Sequence, residues 1–171
     1  MTGESPPELP PVPPGYANSM PPVMEATRLV RIETDPNGRA YFLTADAAKA
    51  WTNMRSAAAD SGISLRLVSA FRSITDQRKI VLRKIQIGQS LTEILRVNAY
   101  PGHSEHHSGC ALDIGTDHGP DLEEAFENTP AFAWLEANAN QFGFILSYPR
   151  NNHSGVIYEP WHWRFQPRAL R

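Results

Sequence analysis

The sequence predicts an α+β domain, in which helices pack on one face of a mainly antiparallel sheet. Two observations lead to this class. Short β-like runs alternate with a few amphipathic helical segments, without the regular strand-helix-strand rhythm of a parallel sheet. An Asn-Gly pair at Asn37 and Gly38 separates two of these runs, which is typical of a hairpin. The chain of 171 residues is long enough for a single domain with one core.

Residues 1–23 precede the predicted domain and are rich in proline. They hold eight of the 15 prolines and few large apolar side chains. Such a composition buries too little surface to offset the entropy lost on ordering, so we expect a flexible, extended segment. A single domain is predicted over residues 24–171.

The first predicted elements of the domain are a β-hairpin and an amphipathic helix. The hairpin strands are expected at residues 28–33 and 40–44. Apolar residues then recur at spacings of four, three and four, which marks one buried helix face that Gly62 can end. That face comprises Ala47, Trp51, Met54 and Ala58.

A buried strand and a second helix are predicted next. Residues 65–70 alternate weakly between apolar and polar side chains, which favours a strand. Either Thr75 or Asp76 can cap a helix that Gly88 stops. Arg72 is therefore expected where the strand gives way to a loop.

The C-terminal half is predicted to complete the sheet. Residues 109–115 have the pattern of a strand, on which Asp113 points to one side. Thr129 and Pro130 match the cap and the first position of a helix that Gly143 ends. Further strands are predicted at residues 144–147, 155–158 and 162–165.

Charge and composition argue against several classes of function. The 16 basic and 18 acidic residues nearly cancel, so we expect neither nucleic acid nor an anionic membrane surface as a partner. No apolar run approaches the roughly 18 residues that span a bilayer. The single cysteine, Cys110, excludes an intramolecular disulfide. We expect a monomer.

Two short blocks of sequence have the residue types of a catalytic metal site. The first runs from Ser104 to Asp113 and contains His106, and the second is Glu159-Pro160-Trp161-His162. Two imidazoles and one carboxylate match the three protein ligands of a hydrolytic zinc site, which keeps one position for water. A further carboxylate, Glu159, lies three residues before a candidate ligand, where a general base is useful.

Each of these residues also has an ordinary structural interpretation. A lone histidine usually makes only hydrogen bonds, and isolated Glu-x-x-His strings are common by chance. Arg72 at a strand end can equally be an ion-pair partner. His107 is expected to point away from an ion held by His106. Cys110 faces away from Asp113 and has no evident base, which argues against a thiol nucleophile.

Three segments together resemble the motifs of a known family. The segment Ser69-Ala70-Phe71-Arg72-Ser73 resembles S-x-x-R-S, the block from Ser104 to Asp113 resembles S-x-H-x-x-G-x-A-x-D, and residues 159–162 resemble E-x-W-H. These are motifs of the VanY-type D-alanyl-D-alanine carboxypeptidases, within the group of lysostaphin-like, D-Ala-D-Ala and hedgehog-like zinc metallopeptidases. The resemblance covers roughly residues 65–165, in the family's order.

The resemblance implies a role for each residue of the site. It implies that His106, Asp113 and His162 bind Zn²⁺ and that Glu159 is the catalytic base. Arg72 is implied to stabilise the developing oxyanion, which suits a permanently charged planar donor. The implied fold is the hedgehog and DD-peptidase type of α+β domain.

The resemblance also implies a substrate and a reaction. The implied activity is zinc-dependent D,D-carboxypeptidase hydrolysis of the terminal bond of peptidoglycan stem peptides, or of other D-Ala-D-Ala-containing peptides, by metal-activated water. Substrate contacts are implied for Ser104, Gln77 and Ser69. The sequence as written starts without a secretory leader, so we expect the bacterial cytoplasm, or the cell envelope if the start is trimmed.

Three other functions stay open at this point. Two are enzymes of the same group, an L,D-carboxypeptidase and a lysin-type endopeptidase, and the loops at residues 92–102 and 116–128 would decide between them. The third is a non-catalytic binding protein stabilised by zinc. Glu159 and Arg72 argue against the third, because a purely structural zinc site needs neither.

Overall fold

The computed structural model describes residues 8–166, in which every strand pair is antiparallel. This confirms the predicted fold class. The strands form one sheet of two and one of four, the latter in the order β3-β4-β6-β5. They are β1 Val30–Thr34, β2 Ala40–Leu43, β3 Arg66–Ser69, β4 Ala111–Gly115, β5 Phe144–Leu146 and β6 His162–Phe165.

Four of the five described α-helices connect these strands, and each of the four begins at a serine or threonine cap. The α-helices are α1 Tyr16–Ser19, α2 Ala45–Asp60, α3 Ile74–Gln86, α4 Leu91–Ile94 and α5 Pro130–Asn138. Short 3-10 helices cover Glu105–Ser108, Glu124–Asn128 and Ala139–Phe142. Between residues 8 and 166 no helix combines the length and hydropathy needed to cross a bilayer.

The cap of α3 differs from the prediction. The cap is Ser73, whose extended backbone precedes the helix and whose side chain accepts a hydrogen bond from the Asp76 backbone N–H (3.0 Å). Asp76 therefore lies in the first turn, and neither it nor Thr75 is the cap. The serine satisfies one of the free N–H groups of the first turn, and the helix begins slightly earlier than expected.

The leading hairpin forms as predicted, with a longer connection than a tight two-residue turn. Thr34 pairs with Ala40, so residues 35–39 make the loop. The Asp35 carboxylate accepts hydrogen bonds from the backbone N–H groups of Asn37 (2.9 Å) and Arg39 (2.8 Å). The loop is thus stabilised by an aspartate that replaces missing backbone partners.

The core lies between one face of the four-stranded sheet and helices α2 and α5. Leu67 pairs with Ile114, and Leu112 pairs with Trp163, and these four side chains belong to the main apolar cluster. The predicted face of α2 joins the same cluster, with Trp51 only 1% exposed. Burial of this face accounts for the apolar spacing in the sequence.

The opposite face of the same sheet carries polar side chains. Asp113 pairs with Ser69 on one neighbouring strand and with His162 on the other. Successive residues of a strand point to opposite faces, whereas paired residues share a face. Asp113 and His162 therefore lie side by side, away from the core that Leu112 enters, and all five residues of β4 are buried.

Residues 155–158 are irregular, so the strand predicted there is wrong. The Ile157 N–H donates to the Arg96 carbonyl (2.9 Å), and the Asn152 side-chain amide donates to the Val156 carbonyl (3.0 Å). The segment satisfies its backbone groups through neighbouring loops and has no strand partner.

Residues 8–26 pack along the domain, which differs from the separate flexible segment expected over residues 1–23. The Tyr100 hydroxyl donates to the Pro10 carbonyl (2.9 Å), and the Val23 N–H donates to the Gly102 carbonyl (2.8 Å). Proline fixes its own backbone angle, so such a chain loses less entropy on ordering than its composition suggests. Residues 1–7 lie outside the described residues.

Candidate metal centre

The three predicted zinc ligands converge on one point. His106 lies in the 3-10 helix before β4, Asp113 at the centre of β4, and His162 at the start of β6. One nitrogen or oxygen atom of each lies within 4.8 Å of the other two, and all three residues are buried. Asp113 Oδ2 is 3.3 Å from His106 Nε2, and its Oδ1 is 3.0 Å from His162 Nδ1.

A serine and a glycine place His106 next to β4. The Ser104 side chain accepts a hydrogen bond from the His106 backbone N–H (3.3 Å) and caps the 3-10 helix. Gly109 then reverses the chain with a φ of 67°. A Cβ atom at this glycine would be strained by the positive φ and would lie 2.8 Å from Leu29 Cδ2, so the Leu29 side chain would also have to shift.

Both imidazole rings are oriented by an acceptor on their far side. His106 Nδ1 donates to the Ala70 carbonyl (2.7 Å), because a carbonyl oxygen can only accept, and this leaves the Nε2 lone pair free. His162 Nε2 lies 2.9 Å from Glu105 Oε2, and its Nδ1 faces Asp113. Histidines that bind metals usually have their second nitrogen held in this way, so the donor set fits a metal ion.

The charges of the cluster also favour a cation. Burial lowers the pKa of His162, but hydrogen bonds to Asp113 and Glu105 outweigh it and raise the pKa to about 10. Burial raises the pKa of Asp113, but His106 and His162 outweigh it and hold that pKa well below its usual range. A positive charge is therefore stabilised between these carboxylates, and a divalent ion can supply it.

Glu159 lies beside the cluster and lines the same cavity. Its Oε2 is 3.8 Å from His162 Nδ1, and it is 8% exposed. Its backbone N–H donates to the Tyr148 carbonyl (3.0 Å), and its carbonyl accepts from the His162 N–H (3.1 Å). Burial raises the pKa of Glu159 to about 7. A carboxylate with this pKa can take up and release a proton near neutral pH.

Arg72 lines the cavity in a fixed orientation. Its Nη1 donates to Gln77 Oε1 (2.9 Å), its Nη2 donates to Ser69 Oγ (3.1 Å), and its carbonyl accepts from His107 Nδ1 (2.7 Å). Burial lowers the pKa of Arg72, although an arginine keeps its charge at any physiological pH. A fixed positive charge therefore faces the cavity that contains Glu159.

Of the three predicted substrate contacts, Ser104 lines the cavity, whereas Gln77 and Ser69 hold Arg72. Gln77 is fully buried, and its amide nitrogen donates to the Ala99 carbonyl (2.8 Å) while its oxygen accepts from Arg72. Both ends of this side chain are thus occupied. Gln77 and Ser69 thus contact Arg72 and do not line the cavity, and a direct contact of either with substrate stays a prediction.

Glu105 is the residue of the site that the sequence analysis does not identify. Its Oε2 lies 2.9 Å from His162 Nε2, and its Oε1 lies 3.2 Å from the Nε atom of Arg164. It occupies a variable position of the second motif, and its histidine partner is 57 residues away in the chain. An acidic residue next to a candidate ligand is the only sign of it in the sequence, and that pattern is common.

The cavity around these residues is small and of mixed polarity. Its volume is about 260 Å³, slightly below the roughly 300–1,000 Å³ of sites for drug-sized ligands. Charged groups on its lining include Arg72, Lys84 and Glu159, and apolar side chains include Met20 and Tyr148. Such a site fits the end of a short polar chain with small side chains.

Comparison with known proteins places the chain among the peptidases that its motifs resemble. A family model described as VanY, D-alanyl-D-alanine carboxypeptidase, matches residues 40–168. The chain is 36% identical over 127 residues to the putative carboxypeptidase YodJ of Bacillus subtilis (strain 168), a match that covers 72% of this chain and 46% of that protein. The chain thus spans about half the length of this curated relative.

Solved structures show the same fold. A structure of the LdcB LD-carboxypeptidase has a TM-score of 0.74 and 33% identity, and covers 82% of this chain and 69% of that one. VanYB in complex with D-alanine-D-alanine has a TM-score of 0.65 and 27% identity, and the match covers 84% of this chain and 81% of that one. A mutant VanY D,D-pentapeptidase in complex with Zn(II) has a TM-score of 0.62 and 28% identity, and the match covers 84% of this chain and 82% of that one.

Proposed function

This chain belongs to the VanY family of D-alanyl-D-alanine carboxypeptidases, and on that premise we propose that it is a zinc-dependent D,D-carboxypeptidase. The proposed substrate is the D-Ala-D-Ala end of a peptidoglycan stem peptide or of its precursor. One observation carries the proposal: the buried cluster of His106, Asp113 and His162 opens into the same cavity as Glu159 and Arg72.

Zinc is the proposed metal, held by His106, Asp113 and His162. Two imidazole nitrogens and one carboxylate oxygen form a common ligand set of catalytic zinc, and a solved VanY relative contains Zn(II). When bound, zinc polarises the carbonyl of the scissile bond and lowers the pKa of water. The two outer hydrogen bonds, to Ala70 and Glu105, keep both rings turned toward the shared point.

Glu159 is proposed to move the proton. Its carboxylate takes a proton from the attacking water and then passes it to the departing amine. Burial raises its pKa to about 7, so the protonated and ionised forms differ little in free energy at neutral pH. The two backbone hydrogen bonds to Tyr148 and His162 hold it at the edge of the cluster.

Arg72 is proposed to stabilise the negative charge that develops on the carbonyl oxygen. Gln77 and Ser69 fix its guanidinium before substrate arrives, so no reorganisation is needed during the reaction. Ser104 lines the cavity and offers a hydroxyl group to the peptide. These residues act on the substrate without contributing to metal binding.

A second candidate function is L,D-carboxypeptidase activity. The similarity to the LdcB LD-carboxypeptidase, at 33% identity, favours it. We prefer the D,D activity because the matching family model is that of the D-alanyl-D-alanine carboxypeptidases. We further propose that the protein is a monomer and that it binds no nucleic acid. The near balance of 16 basic and 18 acidic residues supports the second of these proposals.

Mass analysis of products from defined stem peptides tests the proposal. Zinc-loaded protein is incubated with a pentapeptide ending in D-Ala-D-Ala and with the tetrapeptide that lacks the last residue. Loss of one D-alanine from the pentapeptide alone is the expected result. Loss from the tetrapeptide alone indicates an L,D-carboxypeptidase, internal cleavage indicates an endopeptidase, and no cleavage by zinc-loaded protein contradicts the enzymatic proposal.

A further inference from the structure

We infer that residues 10–26, here called the N-terminal wall, are fixed against the domain so that their Met20 side chain bounds the substrate cavity and limits the size of the peptide side chains that it accepts. This N-terminal wall lies outside the family match, which begins at residue 40. The size limit rests on the proposed peptidase function, whereas the wall itself does not. A specificity-determining residue is therefore assigned to a part of the chain that the family match does not cover.

Hydrogen bonds hold both ends of the N-terminal wall. Near its start, the Pro10 carbonyl accepts from the Tyr100 hydroxyl (2.9 Å). Near its end, the Val23 N–H donates to the Gly102 carbonyl (2.8 Å). Prolines on both sides of helix α1 fix their own backbone angles, so the chain loses less entropy when it packs on the domain.

The middle of the wall is held by an aromatic cluster. The Tyr16 hydroxyl accepts from the Tyr100 backbone N–H (3.0 Å), and the Tyr16 ring lies edge-on to His103 with centroids 5.2 Å apart. His103 Nδ1 donates to the Met20 carbonyl (2.6 Å). The backbone of Met20 is thus tied to the same loop that holds Tyr16.

The Met20 side chain points into the domain. It is 3% exposed and packs with Tyr148 and Val156, each 7% exposed. All three line the cavity that contains Glu159. The Tyr148 ring in turn lies 4.8 Å, centroid to centroid, from the ring of His162. Met20 is therefore separated from the metal cluster by a single layer of side chains.

The chemistry of this wall favours small apolar side chains on the peptide. Met20, Tyr148 and Val156 present carbon atoms, and they bound a cavity of only about 260 Å³. We therefore expect a methyl group to fit against this surface and a longer branched side chain to require Met20 to move. One methylene in an apolar pocket changes kcat/KM by roughly 10- to 200-fold. Shortening Met20 should therefore relax the discrimination by at least about tenfold.

The wall is tested first by methionine oxidation in the intact protein. Met24 is 90% exposed and Met20 is 3% exposed, so the same segment contains its own control. Limited peroxide treatment followed by peptide mass analysis should show Met24 oxidised much faster than Met20, and equal rates only after denaturation. Equal rates in the native protein would overturn the inference.

The size limit is tested by kinetics on matched variants. Met20→Ala and Met24→Ala are compared on a peptide ending in D-Ala-D-Ala and on two peptides in which either D-alanine is replaced by D-leucine. Met20→Ala should raise the ratio of kcat/KM for at least one D-leucine peptide to kcat/KM for the parent peptide by about tenfold or more. Met24→Ala should leave this kcat/KM ratio as in the wild type. Met20→Leu should leave it unchanged as well, because leucine has nearly the same volume as methionine.

The outcomes separate this inference from the proposed function. If folded Met20→Ala keeps the wild-type ratio, the size limit is wrong even though the peptidase proposal stands. If zinc-loaded wild type cleaves none of the peptides, the peptidase proposal fails, and calorimetry then compares binding of the same peptides. Equal relative binding by wild type and Met20→Ala would overturn the size limit. If Met20→Ala does not fold, Met20→Val replaces it, with the same expected direction.

Discussion

Replacing Glu105 with glutamine should weaken zinc binding while leaving the fold intact. The Glu105 carboxylate lies 2.9 Å from His162 Nε2, on the far side of the ring from the metal cluster. It fixes the ring so that Nδ1 faces Asp113, and its negative charge makes that nitrogen a better ligand. A glutamine side chain has the same shape and can still accept the hydrogen bond, so the substitution removes mainly the charge.

The expected loss of zinc affinity is about 10- to 100-fold, the usual effect of removing such a partner. This corresponds to about 1.4 to 2.8 kcal/mol of binding free energy. Glu105 also lies 3.2 Å from the half-exposed Arg164. Because glutamine keeps the shape of Glu105 and can still accept hydrogen bonds there, the variant should remain folded, which denaturant unfolding would check.

The assay is competition for zinc between the protein and a chromophoric chelator at one fixed pH. The matched control is Glu124→Gln, which also removes a glutamate near an arginine, in this case the exposed Arg150 at 3.7 Å. The control should bind zinc as the wild type does. If Glu105→Gln also binds zinc with wild-type affinity, or if both variants lose affinity equally, the proposed role of Glu105 is wrong.

Three further changes probe the base, the positioning of Arg72 and the turn before β4. Glu159→Gln should keep its zinc and lower kcat by about 10²- to 10⁴-fold, as metal analysis beside kinetics would show, and a fully active variant would contradict it. In the wild type, kcat/KM should fall as the pH drops through an apparent pKa at or below about 7. The reason is that Glu159 must be ionised to act as the base, and a bound cation favours the ionised form. A kcat/KM that does not change with pH down to pH 4 would refute this. Gln77→Ala should cost about 1–3 kcal/mol in denaturant unfolding and also lower kcat, because buried Arg72 loses an acceptor; unchanged stability and kcat would count against the positioning role. Gly109→Ala should cost about 1–3 kcal/mol, since its Cβ would lie 2.8 Å from Leu29 Cδ2 at a φ of 67°, and a variant as stable as wild type would show that the turn tolerates a side chain.

The sequence predicts those parts of the fold in which one face of an element is buried. Trp51 and Met54 recur at helical spacing because one side of α2 meets the core, and this spacing can be read from the sequence without knowledge of the tertiary structure. For residues 155–158 the same reasoning predicts a strand that does not form. Val156 and Ile157 look like part of a strand, but their partners are loop residues such as Arg96, which no local pattern reveals.

Some residues of the site can be predicted from the sequence, whereas others depend on tertiary contacts. His106, Asp113 and His162 are found because metal ligands need particular residue types in recognisable motifs. Glu105 is not found, since its contact with His162 depends on how the 3-10 helix and β6 are placed across the sheet. The packing of the N-terminal wall on the domain is not predicted for another reason. Composition only counts apolar residues, whereas a few well-placed ones such as Met20 are enough to anchor a chain that prolines have already stiffened.

X-ray absorption of the zinc-loaded protein shows directly whether one zinc ion is held by two histidines and an aspartate. We expect one zinc per chain, with nitrogen and oxygen neighbours at about 2.0–2.2 Å, two of them imidazoles, and loss of this spectrum in His106→Ala. A sulfur neighbour at about 2.3 Å, which would implicate Cys110, or fewer than two imidazoles would rule out this ligand set.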